Sequence, residues 1–125
     1  MRIVTQVRDS TYGQSAVGVH ARLSRANGAR ANGGPDGWTT VAEAQTNADG
    51  CIADWEGWHL ERGLYRIVFD CDSYFAGLGG SAVYPEVMVI FRMRDESHAF
   101  PVQVTLAPYS YSTYFGTVEN LSENS

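Results

Sequence analysis

Period-two alternation dominates this chain and fixes the kind of fold open to it. Residues 2–8 set Ile3, Thr5 and Val7 on one side against Val4, Gln6 and Arg8 on the other; residues 17–25 set Val17, Val19, Ala21 and Leu23 against Gly18, His20, Arg22 and Ser24. Successive side chains of a strand point to opposite faces, so such a segment buries one face and leaves the other free. Helical periodicity is nearly absent.

Turn signals separate the alternating runs. Asp9-Ser10-Thr11-Tyr12-Gly13 and Thr46-Asn47-Ala48-Asp49-Gly50 combine residues that bond the local backbone with a glycine able to take positive φ, and Asn27 to Gly37 reads as a surface loop. Trp38–Ala44, Leu64–Asp70, Tyr84–Met93, Phe100–Leu106 and Tyr111–Thr117 read as further strands, with Ser73–Leu78 as a single short helix. The pattern predicts an all-β chain, an eight-stranded antiparallel sandwich over residues 1–117, followed by a disordered tail from Val118 to Ser125.

Composition removes several classes of function. The net charge is −5, with 14 Asp and Glu against 9 Lys and Arg, which offers no basic footprint for nucleic acid. The longest apolar run, Val87 to Phe91, is far short of the roughly 20 residues of a membrane span. The polar start Met1-Arg2-Ile3-Val4 lacks the apolar core of a signal peptide, so the expected location is the cytoplasm. Cys51 and Cys71 make no metal pattern and are expected as free thiols; neither metal nor cofactor is implied.

Several segments together resemble the transthyretin and 5-hydroxyisourate hydrolase family. Thr5-Gln6-Val7-Arg8-Asp9 is similar to its T-H-V-L-D, and Thr46 to Cys51 to its T-x-x-D-G-R. Tyr84-Pro85-Glu86-Val87 is similar to F-P-E-V, and Pro108 to Thr117 to the closing P-Y-G-Y-S-T-Y-R-G-S. The resemblance implies a homotetramer, a dimer of dimers, whose closing tyrosine-rich strand lines a channel that takes a small molecule. In that setting Gln6, Tyr111 and Tyr114 are the candidate catalytic residues, and Cys51, Ala99, Ser112, Phe115 and Thr117 the candidate binding residues.

The chain departs from the hydrolase pattern where its chemistry lies. Gln6 replaces the first histidine, Cys51 the arginine of the turn, and Phe115 and Thr117 the arginine and serine of the closing motif. His98 falls between the two positions of the family's H-Y-H-V-P when Pro101 is the anchor, and a one-residue offset on a strand turns a side chain to the opposite face. It is a catalytic candidate only if a bulge restores its aim; otherwise it is a turn histidine. Cys51 is either a nucleophile or a small filler, and Tyr111 and Tyr114 are either hydrogen-bond donors to a ligand or cross-strand packing. These replacements point to a largely uncharged channel for a small, mostly neutral molecule. The expected function is its cyclisation, isomerisation or hydrolysis in a specialised biosynthetic pathway. The alternatives are a carrier or sensor without chemistry, and an ordinary 5-hydroxyisourate hydrolase.

Overall fold

A computed structural model describes residues 2–28, 37–53, 55, 61–94 and 99–114, with only the backbone of Arg2, Ala99 and Phe100. Two sheets face each other. The first runs β2 (Gln14–Ser15), β1 (Arg2–Asp9), β8 (Ala99–Ala107), β9 (Ser110–Tyr114), and β5 (Cys51–Ile52) pairs with β1 beyond the end of β2. The second runs β4 (Trp38–Gln45), β3 (His20–Ala26), β6 (Gly63–Asp70), β7 (Glu86–Met93). One helix, α1 (Cys71–Gly77), follows β6 directly.

The sandwich is the one the alternation predicts, with two adjustments. Nine segments pair, two of them only two residues long. The β1–β8 pair is parallel, from Arg2 opposite Ala99 to Asp9 opposite Leu106, whereas the other pairs are antiparallel. No hairpin joins these two strands, so no turn dictates their relative direction. The tail from Val118 onward lies outside the described residues.

The alternation sorts the core. Ile3, Thr5, Val7 and Asp9 of β1 and Val102, Val104 and Leu106 of β8 are buried, and they meet Leu23, Tyr65, Ile67, Phe69 and Val87 from the other sheet. Each large apolar side chain taken from water contributes about 1.5–3 kcal/mol. Val17 is 53% exposed because the strand expected over 17–25 begins only at His20; the stretch before it is a turn tied down by Thr46. Thr46 Oγ1 accepts from Val19 N at 2.9 Å and donates to Ala16 O at 2.7 Å, so the buried hydroxyl is satisfied on both sides.

The helix begins two residues earlier than the sequence suggests, because Asp70 caps it. Its carboxylate accepts from Ser73 N at 3.1 Å and from Ser73 Oγ at 2.8 Å. Three side chains fix the second sheet and its flank. His20 lies with Nε2 3.0 Å from Glu43 Oε1 on the neighbouring strand. Trp55 is buried in the core. Trp38 carries the Arg66 guanidinium 4.7 Å above its ring. Trp58 and His59 lie outside the described residues.

Candidate functional site

The outward face of the first sheet gathers most of the described candidates, and the backbone register shows how. Gln6 on β1 is opposite Cys51 on β5 and also opposite Gln103 on β8, and Gln103 is opposite Tyr114 on β9. Register partners share a face, so Cys51, Gln6, Gln103 and Tyr114 form one row across four strands. At about 4.8 Å between strands the row is roughly 14 Å long. Two residues further along β1, about 7 Å away, Ser15, Arg8, Thr105 and Ser112 form a second row in the same manner.

The position of Cys51 comes from the turn before it. Asn47 Oδ1 accepts from Asp49 N at 2.8 Å and from Cys51 N at 3.0 Å, while Gly50 N donates to Asn47 O at 2.9 Å. Gly50 has φ +76°, which turns the chain back so that Val7 N can donate to Gly50 O at 2.8 Å, and Cys51 then lands beside Gln6. Burial first, and then the Asp49 carboxylate, push the half-buried thiol above its ordinary value. Its Sγ lies 3.7 Å from Asp49 O. A thiol with a raised pKa is a poor nucleophile, which favours the filler role of the two that the sequence leaves open. Iodoacetamide at neutral pH is therefore expected to label Cys51 more slowly than a free cysteine, with Cys51→Ser identifying the site by mass spectrometry. Faster labelling would reveal an activating group. Cys71 supplies no competing label, because it is buried and its thiol is pushed up to about 11, mainly by desolvation.

The other candidates divide by face. Tyr114 (63% exposed) and Ser112 lie on the two rows. Tyr111 is opposite Leu106 and so lies on the other side of β9, where its ring meets Tyr84 edge to face at a centroid distance of 5.4 Å. The contact is aromatic packing of β9 against the segment that precedes β7. Ala99 opens β8 opposite Arg2, with only its backbone described. His98, Phe115 and Thr117 lie outside the described residues. Among the described residues no three His, Cys, Asp or Glu side chains gather to hold a metal ion.

Besides Ser15, three residues of the two rows were not singled out from the sequence: Arg8, Gln103 and Thr105. The alternation of residues 2–8 already sets Arg8 on the side of Gln6, and Gln103 and Thr105 alternate with buried Val102, Val104 and Leu106. The same period-two reasoning, carried across the strands, finds all three. The expectation of a largely uncharged surface left out Arg8, which is exposed and one row from Gln6. The rows carry no histidine and no carboxylate. They offer amide, hydroxyl, thiol and guanidinium groups, a set able to hydrogen-bond a polar ring and to donate to a developing oxyanion.

Known proteins share this fold. Residues 3–116 match the profile described as the HIUase/Transthyretin family. The chain is 32% identical over 116 residues to the 5-hydroxyisourate hydrolase of Mus musculus, covering 92% of this chain and 94% of that protein. Its structure is similar to that of Klebsiella pneumoniae 5-hydroxyisourate hydrolase, with a TM-score of 0.77 at 28% identity, covering 93% of this chain and 98% of the other. It is also similar to sea bream transthyretin in complex with thyroxine, with a TM-score of 0.80 at 26% identity over 94% of this chain and 96% of the other. Among the described residues no helix is long and apolar enough to cross a membrane.

Proposed function

This chain belongs to the HIUase/transthyretin family, and from that premise we infer that the outward face of the β5-β1-β8-β9 sheet binds a small, hydrogen-bond-rich organic molecule and promotes a ring reaction on it. The observation that carries the reading is the row Cys51, Gln6, Gln103, Tyr114, four side chains brought to one face from three distant parts of the chain. The two amides read carbonyl and N–H groups of a ring, and the Tyr114 hydroxyl donates to an oxygen on which charge develops. Positioning of this kind contributes on the order of 7 kcal/mol in well-oriented cases. Hydrolysis is the reaction named for the mouse and Klebsiella relatives, and 5-hydroxyisourate is the first substrate to test. Isomerisation or cyclisation of a related ring in a specialised biosynthetic pathway is the next assignment, because the row supplies positioning and hydrogen bonds in place of an imidazole.

The face is completed by a second copy. A sheet face with Tyr114 63% exposed gains enclosure when copies pair edge to edge and then back to back, as a homotetramer with a channel between dimers. We place this assembly in the cytoplasm. A second reading, a carrier without chemistry, is favoured by one feature: neither row holds a histidine or a carboxylate to move a proton.

The test adds 5-hydroxyisourate, freshly generated, to wild type, Gln6→Ala, Tyr114→Phe and Tyr111→Phe proteins. The first two substitutions are expected to lower kcat/KM by about 10- to 100-fold. Tyr111→Phe, on the other face, is expected to leave it unchanged. Decay no faster than in buffer, with the ring still bound, selects the carrier; neither binding nor decay removes this surface as the site. Light scattering that finds a monomer at micromolar concentration removes the channel.

A further inference from the structure

We propose that Arg8 is a specificity-determining residue and that the natural ligand is a small organic anion. This rests on the reading of the β5-β1-β8-β9 face as the ligand surface. Arg8 is exposed on that face, two residues from Gln6 along β1 and hence about 7 Å from it. It is opposite Ser15 on one side and Thr105 on the other, and Thr105 is in turn opposite Ser112, so three hydroxyls share its row. No carboxylate stands in either row, and Arg8 forms no salt bridge with any described residue. Its outward neighbours along and across the strands, Val4, Gln6, Gln103 and Ala107, are neutral.

A guanidinium alone on a neutral face is tolerable in water and costly once the face is covered. Enclosing an unpaired charge is unfavourable unless an opposite charge arrives with hydrogen bonds. A ligand anion supplies that partner, and a guanidinium flanked by hydroxyls is a fitting donor set for a planar carboxylate or an ionised ring oxygen. The geometry sets the ligand's layout. Its anionic edge lies over the Arg8 row, and an amide-like edge about 7 Å away lies over Gln6 and Gln103.

The experiment measures, by calorimetry at neutral pH, binding of urate, a monoanion there, and xanthine, a similar ring that is largely neutral. Wild type is expected to bind urate about tenfold or more tightly than xanthine, with the preference shrinking as salt is added. Arg8→Gln is expected to abolish the preference by weakening urate alone, and Arg8→Lys to keep part of it. Thermal melts check that both variants fold, as substitution of an exposed side chain allows. Equal affinity of wild type for the two rings, or equal losses for both in Arg8→Gln, overturns the role of Arg8. The surface itself still stands in that case if Gln6→Ala weakens both rings. Failure of both rings to bind wild type overturns the anion assignment and the surface together.

Discussion

Gly50→Ala is expected to melt roughly 10 °C below wild type, reflecting a loss of at least about 3 kcal/mol out of the 5–15 kcal/mol typical of a domain. Two separate costs combine. At φ +76° an L side chain is strained by about 1–3 kcal/mol. An added Cβ would also sit 2.6 Å from Val7 O, 2.9 Å from Ser15 Cβ and 3.2 Å from Ala16 N. Val7 O is backbone and already accepts from Ala16 N at 2.9 Å, so it cannot yield without opening the contact between β1 and the segment that follows β2. Gly13→Ala separates the two costs: its φ is +64°, but nothing lies within 4 Å of the added Cβ, so strain alone should appear, about 1 kcal/mol. The contrast is read by denaturant unfolding of both variants. Equal small losses would mean that the β1–β5 junction gives way cheaply. In that event Cys51 would not be held rigidly beside Gln6, and the row proposed as the site would lose its anchor.

The same turn shows what was legible beforehand and what was not. Thr46 to Gly50 announces a turn from residue types alone, because Asn47 and Gly50 are the residues that bond locally and accept positive φ. That Gly50 approaches Val7 is not legible, since the approach is made by segments more than forty residues apart in sequence. The faces of β1 are likewise written in its alternation. The partners of Gln6 come from β5 and β8, and no local rule sets the register between distant strands. The resemblance carried by the closing motif weighed Tyr111 and Tyr114 together, whereas alternation on β9 sends them to opposite faces. Arg8 went unweighted for a related reason. Attention to the catalytic positions that are lost passes over Arg8, which stands at the leucine of the opening motif and adds a charge to an otherwise neutral row.

Removing the Asp9 carboxylate is the other change expected to have a large effect. Asp9 is fully buried, with Oδ1 accepting from Thr11 N at 2.8 Å and Tyr12 N at 3.4 Å, and Oδ2 accepting from the Tyr74 hydroxyl at 2.7 Å. It thus closes the turn after β1 and ties that turn to α1. Asp9→Ala strands these donors, and with hydrogen bonds to a charged group at about 1.5–3 kcal/mol each, a net loss of about 3 kcal/mol is expected. Asp9→Asn keeps an acceptor and should cost less. Tyr74 gives the pair a second signature. Desolvation first, and then the hydrogen bond and charge of Asp9, push its phenol far above the ordinary value of about 10. The folded protein therefore keeps a proton that the unfolded chain gives up as pH rises past about 10, so the stabilisation is complete below that pH and declines above it. Urea midpoints measured from neutral to strongly alkaline pH should fall on the alkaline side in wild type and fall less in Tyr74→Phe. Parallel profiles for the two proteins would show that the Asp9–Tyr74 contact is not what couples the end of β1 to the helix.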